Sequence, residues 1–306
     1  MIVMKRAVIF AHYDKQNIID DYVVYYLRAL KEIADELVLV SCNFVKNKQA
    51  VENIATKIID DTHNEYDFGS YKRGYLYLKE RLNEFDELVF VNDSCYGPFY
   101  SLKEVFDQMD KKDCDFWGIT KNNFGYPKNL SSFFVKRSHI QSYFIILKKN
   151  IIISEIFDNF MKSITVQASK REIISKYEIG LSELLYESGF KSDVYINAYT
   201  NTNNPAILKW RQLIENYRIP FLKCSVPKLL NREMTTADGW EESIPPTYPK
   251  DLIKNNIKRL NLGKKNKKSC SAETKRKFFD FVSEMPFVLR KIITKIVFLI
   301  FPYIKD

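Results

Sequence analysis

Glycine and proline are scarce in this chain: of its 306 residues, 9 are glycine and 10 are proline. The sequence also lacks internal repeats with a period of about 20–50 residues. These absences exclude a collagen-like or low-complexity composition and a solenoid built from stacked repeats. The composition is instead that of a globular protein.

Paired cysteines are missing as well. The five cysteines, at positions 42, 95, 114, 224 and 270, form no CxxC pair and no zinc-like spacing. We therefore expect free thiols in a reducing compartment. Residues 1–10 lack the apolar segment and cleavage site of a secretory signal, and nothing before residue 278 approaches the length of a membrane span. These features predict a cytoplasmic protein.

Apolar and aromatic residues are abundant. Hydrophobic residues make up 46% of the chain, which includes 22 Phe and 19 Tyr. A chain of this length and composition can bury a full core. We predict one large domain over residues 1–250 and an extension over residues 251–306.

The net charge of +9 is distributed unevenly. Residues 254–306 contain 14 Lys or Arg and 4 Asp or Glu, which gives this segment a net charge of +10. The rest of the chain contains 33 basic and 34 acidic residues and is nearly neutral. A neutral body argues against nucleic-acid binding over its surface, and the basic extension favours an anionic partner.

Apolar strand-like segments alternate with segments of helical periodicity. Strands are predicted at residues 6–11, 36–41, 88–91, 116–120 and 142–147, and helices at 17–34, 70–83, 102–109, 155–163 and 177–188. Residues 48–59 fit a helix or a helix followed by a strand. Strands separated by helices indicate a mostly parallel sheet flanked by helices, so the predicted fold class is α/β.

Residues 86–99 are the most informative segment. An apolar strand runs into a polar turn that contains Asp93 and ends at Gly97 and Pro98. Ligands of open α/β sheets bind outside the carboxyl ends of the strands. The Asp93 carboxylate is therefore a candidate ligand for Mg²⁺ or Mn²⁺ bridged to a nucleotide diphosphate. The alternative is an Asx turn that only caps the following helix.

A second candidate segment, residues 64–74, opens a predicted helix. Gly69 permits close approach of the backbone, and Ser70 is the expected N-cap. Helix N-termini attract phosphate groups, and Lys72 adds a positive charge. The segment therefore predicts a loop close to a diphosphate; the alternative is an ordinary capped helix with a solvated lysine.

Glu178 opens a further predicted helix, which ends at Gly189, a favourable C-cap. A carboxylate here could act as general base for an acceptor hydroxyl. The alternative is an acid that only favours the first helical turn. Two weaker signals are His139 with Gln141 at a strand entrance, and Trp117, whose ring is either a platform for a sugar or part of the core.

Several of these segments together resemble the rhamnan synthesis protein F family. They are residues 12–15 (HYDK), 19–23 (IDDYV), 66–70 (YDFGS), 92–99 (NDSCYGPF), 114–118 (CDFWG) and 139–143 (HIQSY). The resemblance covers roughly residues 5–240 in the same order. It implies a glycosyltransferase of bacterial cell-surface polysaccharide synthesis, with a glycosyltransferase A-like (Rossmann-like) fold. The implied donor is dTDP-L-rhamnose, and the implied acceptor is a lipid-linked glycan.

The resemblance also implies roles for individual residues. Glu178 takes the place of the catalytic base of an inverting transfer. From the residues themselves we predict that Trp117, His139 and Gln141 bind the acceptor. Asn92, Asp93 and Ser94 take the place of the acidic motif that binds the metal and diphosphate, and the full set of predicted donor-binding residues is His12, Tyr13, Asp14, Asp67, Gly69, Lys72, Asn92, Asp93 and Ser94. Two departures from the usual glycosyltransferase A pattern matter: the Asp-x-Asp motif is reduced to Asp93, which leaves the metal ion open, and Tyr177 replaces the first acid of the base motif. Transfer to another sugar, or from another nucleotide, would fit the same residues.

The extension combines basic and aromatic residues. Residues 287–304 (FVLRKIITKIVFLIFPYI) form an apolar stretch that three basic residues interrupt. The uninterrupted apolar segments of this stretch are too short to span a bilayer. This pattern predicts a basic amphipathic helix on an anionic membrane surface, where each basic residue contributes about 1 kcal/mol. We expect a peripheral protein on the inner face of the cell membrane. The alternatives are a helix packed on the body or on a partner chain, and RNA binding.

Two other functional classes fit the same sequence. One is a non-catalytic scaffold that uses the fold to recruit a polysaccharide assembly complex. The other is a nucleic-acid binder that uses its basic extension, although we expect no nucleic-acid partner. Binding of a nucleotide sugar distinguishes an enzyme from both.

Overall fold

Two compact units make up the chain. The computed structural model describes residues 4–124, 137–228 and 239–260. Within these residues, the first unit combines Met1–Asp93 with Ser101–Tyr195, and the second combines Ser94–Tyr100 with Ile196–Asp306. The turn after Asp93 is therefore the place where the chain first leaves the first unit.

The described residues contain the following strands and helices. The strands are β1 (Arg6–His12), β2 (Glu36–Ser41), β3 (Lys57–Asp60), β4 (Glu87–Asn92), β5 (Cys95–Tyr96), β6 (Phe116–Gly118), β7 (Lys121–Asn122), β8 (His139–Ile140), β9 (Phe144–Lys148), β10 (Ser192–Val194) and β11 (Leu222–Lys223). The helices are α1 (Asp21–Lys31), α2 (Tyr66–Leu78), α3 (Leu102–Met109), α4 (Lys149–Ile152), α5 (Glu155–Lys162), α6 (Lys170–Ile173), α7 (Ile179–Glu187), α8 (Pro205–Leu208), α9 (Trp210–Tyr217), α10 (Trp240–Ser243) and α11 (Asp251–Arg259). Two 3-10 segments lie at Lys48–Ala50 and Lys79–Glu84, and a π-helical turn spans Ile174–Glu178.

The first unit is built on a seven-stranded sheet with the strand order β10-β6-β9-β4-β1-β2-β3. β1 pairs in parallel with β2 and β4, β2 with β3, and β6 with β10. Only β9 in this sheet runs antiparallel to its neighbours, β4 and β6. The predicted α/β class, a mostly parallel sheet flanked by helices, is confirmed.

Helices cover both faces of this sheet. On one face, α2, α5 and α7 pack against inward-facing residues of β1, β2 and β4, and the rings of Tyr71 and Phe90 stack with centroids 4.4 Å apart. On the other face, the ring of Phe10 meets that of Tyr26 of α1 edge-on at 5.4 Å. Burial on both faces explains why the central strands are continuous apolar segments rather than alternating ones.

Some predicted bounds need correction. α1 begins at Asp21 rather than at residue 17, because the Asp20 carboxylate accepts a hydrogen bond from the Asp21 amide at the N-cap. α2 begins at Tyr66, so Ser70 lies inside the helix and is not its N-cap. Residues 48–59 form a 3-10 turn followed by the first part of β3.

The second unit contains a two-stranded antiparallel pairing of β5 with β11. The Tyr96 hydroxyl donates to Oδ1 of Asn256 in α11 at 2.6 Å, and the rings of Phe99 and Tyr248 meet edge-on at 4.9 Å. α11, the first part of the predicted extension, is thus packed within this unit. The basic and aromatic remainder, residues 261–306, lies outside the described residues, and its membrane-binding role stays a prediction.

In the part of the chain that the structure describes, no helix is both long enough and apolar enough to cross a bilayer.

Candidate active site

The carboxyl ends of β1 and β4 meet at one edge of the sheet, because these strands are parallel neighbours with Ala11 opposite Asn92. Asp93 follows directly. Its Oδ2 accepts a hydrogen bond from the backbone N–H of Tyr13 at 2.7 Å, and its own N–H donates to the Ala11 carbonyl at 3.2 Å. The side chain is partly exposed. Asp93 is therefore held at the strand ends with its carboxylate oriented by the turn after β1.

A further hydrogen bond holds the backbone of Asp93. The hydroxyl of Tyr22 in α1 donates to the Asp93 carbonyl at 2.9 Å. The helix that follows, α3, has Ser101 at its N-cap position. The hydrogen bond that orients the Asp93 carboxylate thus comes from the turn after β1, and Asp93 is not the N-cap of α3.

A second carboxylate, Asp67, reaches the same edge from the first turn of α2. Its Oδ2 accepts from the side-chain amide of Asn92 at 3.0 Å, and its Oδ1 accepts from the Phe68 N–H at 3.2 Å. Asn92 is the last residue of β4 and is buried. Asn92 therefore ties the end of the central strand to the start of α2, and Asp67 stands beside the strand that carries Asp93.

The third carboxylate, Glu178, is the last residue of the π-helical turn that leads into α7. Its Oε1 accepts from the backbone N–H of Ser142 at 3.0 Å. The Ser142 carbonyl in turn accepts from the hydroxyl of Tyr71 at 3.0 Å. Single π-helical turns are common at functional sites because they reorient side chains within a helix. Here the turn presents a partly exposed carboxylate towards the segment before β9.

Asp67 and Glu178 interact electrostatically. Burial, the largest cause, and the Glu178 charge together raise the pKa of Asp67 from its ordinary 3.8 to about 6, while Lys170, the Phe68 amide and Asn92 act in the opposite direction. Burial, together with the Asp67 charge, also raises the pKa of the Tyr71 phenol well above its usual range. The two carboxylates thus form a pair of like charges, an arrangement typical of sites that move protons.

Around the turn after β1, three predicted donor-binding residues have different environments. The His12 ring is buried, with Nδ1 3.1 Å from the Ser41 hydroxyl at the end of β2. Tyr13 is 53% exposed at the sheet edge. The Asp14 carboxylate accepts from the Gln16 and Ile18 amides and so shapes the turn.

Two predicted donor-binding residues of α2 are engaged with the protein. Lys72 donates its ammonium group to the carbonyls of Lys162 and Ile164, at 3.0 and 2.7 Å, and so caps the end of α5. Gly69 is needed for packing, because an added Cβ would lie 2.7 Å from Nδ1 of the buried His63. The close approach predicted for Gly69 is thus to His63. Ser70, expected as the N-cap, instead places its hydroxyl 3.1 Å from Nε2 of His63.

The acceptor-binding assignments are corrected by burial. Trp117 is fully buried, and its ring meets Phe106 edge-on at 5.1 Å, so it belongs to the core. His139 is buried with Nδ1 2.8 Å from the Arg137 carbonyl. Gln141 is buried, and its Oε1 accepts from the Thr120 hydroxyl at 2.7 Å. These contacts satisfy polar groups inside the first unit and leave the side chains little surface for an acceptor.

Ser94 lies in the second unit, directly after Asp93 in the chain. Its hydroxyl accepts from the ammonium group of Lys223 at 3.1 Å, and its carbonyl accepts from the Cys224 amide at 2.8 Å. Ser94 thus has partners on and next to β11, and its predicted contact with the donor stays a prediction.

Sequence patterns missed four residues of this edge: Tyr22, Tyr71, Ser142 and Lys170. Three of them contribute through a hydroxyl or a backbone group, for which spacing gives no signal. Lys170 is an exposed lysine in a polar segment, and nothing in its surroundings distinguishes it by sequence.

A metal site made by the protein alone is not present among residues 4–124, 137–228 and 239–260, where no three His, Cys, Asp or Glu side chains are grouped as ligands. Mg²⁺ is commonly held by one or two carboxylates together with substrate phosphates. The single Asp93 carboxylate fits this arrangement only as one ligand among oxygens supplied by a bound diphosphate.

Comparison with protein families gives one match that covers most of the chain. A family model described as rhamnan synthesis protein F matches residues 37–298. The matched region includes β4, the Asp93 turn, α2 and the π-helical turn with Glu178.

Two curated relatives match shorter segments. The uncharacterized protein y4gN of Sinorhizobium fredii is 29% identical over 133 residues, which is 44% of this chain and 33% of that protein. The virulence protein VirA of Vibrio anguillarum is 30% identical over 133 residues, which is 42% of this chain and 38% of that protein. The matched segments thus span less than half the length of these relatives.

Among solved structures, similarity is weak. The inositol-1-phosphate CTP transferase from T. maritima has a TM-score of 0.38 and 10% identity, covering 63% of this chain and 85% of that one. The mannosyltransferase Ktr4p from S. cerevisiae has a TM-score of 0.35 and 10% identity, covering 52% and 59%. Similarity at this level carries no argument about substrates.

Proposed function

The chain belongs to the rhamnan synthesis protein F family, and we propose that it is a glycosyltransferase of bacterial polysaccharide synthesis. The observation that carries this proposal is the cluster of acids at the carboxyl ends of β1 and β4. Asp93 is oriented by the Tyr13 amide, and the Asp67–Glu178 pair stands beside it on α2 and the π-helical turn. This edge of an α/β sheet is where ligands bind.

We propose a nucleotide sugar as donor, with dTDP-L-rhamnose as the specific candidate. Its diphosphate would lie over the strand ends at Asp93 and the turn that contains Tyr13 and Asp14. The exposed Tyr13 ring offers a flat apolar surface at this edge. Asp67 and Asn92 would support the donor from α2 and β4.

The acceptor is activated by Glu178 in this proposal. Glu178 removes the proton of an acceptor sugar hydroxyl as the hydroxyl oxygen attacks the anomeric carbon of the donor. A glycosidic bond forms, the bond from the anomeric carbon to the diphosphate oxygen breaks, and the nucleoside diphosphate leaves with the electron pair. Attack opposite the leaving group inverts the configuration. Such proton transfer typically contributes about 10²–10⁴-fold to the rate.

Asp93 would hold a divalent cation if one binds with the donor. Such an ion, Mg²⁺ or Mn²⁺, would supply positive charge to the diphosphate. The steps assigned above to Glu178 do not depend on it.

We further propose that the acceptor is a lipid-linked glycan reached from the cytoplasmic face of the membrane. The support for this is the net charge of +10 in residues 254–306 and the apolar stretch among them. A basic, aromatic extension of this kind favours attachment to an anionic lipid surface.

Thermal unfolding of the full chain with a panel of nucleotide sugars and nucleoside diphosphates tests the proposal. A ligand that binds only the native state raises the melting temperature. We expect one donor nucleotide to raise it and the others to raise it less. If every nucleotide leaves the melting temperature unchanged, the chain is instead a scaffold with a glycosyltransferase-like fold, and the proposal fails.

A further inference from the structure

A surface cleft with a volume of about 540 Å³ lies wholly within the second unit. This volume is in the range of clefts that bind small molecules. The lining comes from α9, from α10, from the segments that follow these two helices, and from Tyr100. None of the candidate site residues of the first unit contributes to it.

Hydrogen bonds between α9 and α10 fix two walls of this cleft. The Ser243 hydroxyl donates to Oε1 of Glu215 at 2.8 Å and accepts from Nη1 of Arg211 at 2.9 Å. The same guanidinium nitrogen donates to the Gly239 carbonyl at 3.2 Å. Because these bonds already hold the lining residues of both helices, a ligand finds the cleft pre-formed and does not have to order it.

A residue with a strained backbone lines the cleft at the end of α9. Arg218, at the C-cap, has φ +53° and ψ +41°, a left-handed conformation that is uncommon for a residue other than glycine. Glycine would end the helix there without strain. The Arg218 guanidinium instead lies over the Tyr100 ring, 4.2 Å from its centroid, in a cation–π contact. Strain of this kind is typical of functional positions, and here it places a group of N–H donors at the cleft.

The cleft combines hydrogen-bonding groups with carbon surfaces. Glu215 and Glu242 supply carboxylate oxygens as acceptors, and Arg218 supplies N–H donors. The prolines at 245–246 and the ring of Tyr100 supply apolar surface. Two carboxylates against one guanidinium disfavour a phosphorylated ligand, because like charges repel.

We propose that this cleft binds a neutral glycan chain. The hydroxyls of a sugar donate to carboxylates and accept from a guanidinium, and its C–H faces pack on aromatic and proline rings. A family that takes part in rhamnan synthesis handles ligands of this class. The inference goes beyond the proposed function, because it needs neither Glu178 nor a donor nucleotide.

The test is saturation-transfer NMR and titration of the full chain with saccharides. The probes are L-rhamnose and its linear di- and trisaccharides, and glucose, maltose and maltotriose, each with and without dTDP. Glu242→Gln removes one lining charge at constant size, and Arg218→Gly removes the guanidinium at a position that suits glycine. Glu241→Gln is the matched control, because the Glu241 carboxylate binds the Lys254 ammonium at 2.7 Å and does not line the cleft.

We expect the wild type to bind at least one trisaccharide, and to bind it more tightly than its monosaccharide because more of the cleft is filled. Glu242→Gln and Arg218→Gly should each weaken this binding by about ten-fold, as for one lost hydrogen bond to a charged group. Glu241→Gln and dTDP should leave it unchanged.

Three results would overturn the inference: no binding of any saccharide, equal losses in Glu241→Gln and Glu242→Gln, or displacement of the saccharide by dTDP. The last result would mean that the saccharide occupies the donor site. In each case a nucleotide that still raises the melting temperature would leave the proposed function standing.

Discussion

Ser142 donates its backbone N–H to Oε1 of Glu178 at 3.0 Å, so a carboxylate on a helical turn is held by the chain segment just before β9. The same segment is tied to α2, because the Tyr71 hydroxyl donates to the Ser142 carbonyl. The next residue, Tyr143, accepts from the Asn92 amide with its carbonyl at 3.4 Å. Glu178 is thereby connected through hydrogen bonds of the segment 142–143 to β4, the strand that ends directly before Asp93.

Two replacements of Asp93 should distinguish the effect of its negative charge from the effect of its hydrogen bond with the Tyr13 amide. Asp93→Asn keeps an oxygen for the Tyr13 amide but removes the negative charge, whereas Asp93→Ala removes both. We expect donor-nucleotide affinity in Mg²⁺ to fall in both variants. Unfolding by urea should show a loss of about 1–3 kcal/mol for Asp93→Ala and a smaller loss for Asp93→Asn, because the first leaves the Tyr13 donor unsatisfied. Equal stability of the two variants would contradict the orienting role of the Tyr13 amide.

Asp67→Asn should stabilise the protein in a pH-dependent way. The folded-state pKa of Asp67 is about 6, above its ordinary 3.8. Between these values the folded protein binds the proton more tightly than the unfolded chain, so wild-type stability falls as pH rises through this window. Removal of the charge should therefore raise the free energy of unfolding, relative to wild type, by about 1–2 kcal/mol at pH 7 and by little at pH 4.

Denaturation curves at several pH values measure this difference. Asp21→Asn is the matched control, because Asp21 is an exposed acid in the first turn of α1. It should show no comparable gain between pH 4 and pH 7. A stability gain for Asp67→Asn that is the same at both pH values would contradict the burial of a charge at Asp67.

Arg137 should act as a positioning residue for the turn that presents Glu178. Its guanidinium binds both carboxylate oxygens of Glu183 at 2.8 Å and donates to the Ser175 hydroxyl at 2.9 Å. Ser175 lies before Glu178 and Glu183 after it, so one buried side chain holds both sides of the turn. We expect Arg137→Met to lower transfer with little change in donor affinity, and to cost about 2–4 kcal/mol of stability because Glu183 loses both hydrogen bonds from the guanidinium.

A double-mutant cycle with Glu183→Gln checks this prediction. The double variant should recover part of the lost stability, since it also removes the carboxylate charge that the guanidinium had neutralised. Arg81→Met is the control, because the Arg81 side chain is 42% exposed in its pair with Glu36 and should cost less than about 1 kcal/mol. Additive losses in the cycle would contradict the prediction that Arg137 and Glu183 stabilise the turn as a pair.

Gly74 and Gly180 should respond to alanine in opposite directions. In α2, an added Cβ at Gly74 would lie 2.5 Å from Cγ2 of Ile9 on β1. Gly74→Ala should therefore destabilise the first unit by about 1–3 kcal/mol through overpacking. At Gly180 in α7 the nearest atom, the Ser175 carbonyl oxygen, would lie 3.7 Å away, and alanine should stabilise by about 0.5–1 kcal/mol. Urea midpoints measure both, and a loss at Gly180 would contradict the open space there.

Much of the fold follows from the sequence because its strongest signals are local. The bounds predicted for β2 and α3 are those of the structure. Gly189 has φ +85° and ends α7 with the hydrogen bonds of a Schellman motif, from Gly189 to Tyr186 and from Phe190 to Leu185. The partly exposed position of Asp93 at a strand end also agrees with its predicted place.

The remaining features depend on tertiary contacts that periodicity does not encode. The apolar pattern of β9 gives no information about its antiparallel direction. α2 starts early at Tyr66, whose φ of +56° is uncommon for a non-glycine residue. Lys72 has the positive charge expected of a residue that binds phosphate, but its ammonium group donates hydrogen bonds to carbonyls at the end of α5. Trp117 has a flat ring that could stack on a sugar, but the ring is fully buried in the core.

The central claim is that Glu178 is the base of a glycosyl transfer, and Glu178→Gln tests it most directly. Transfer from dTDP-L-rhamnose to a lipid-linked glycan extract should be measured together with donor affinity for the wild type, Glu178→Gln and Glu187→Gln. Glu187 is an exposed acid at the end of α7 and serves as the control. We predict that Glu178→Gln binds the donor like the wild type and transfers at least about 10²-fold more slowly, while Glu187→Gln is unaffected. Transfer by Glu178→Gln at the wild-type rate would contradict the account.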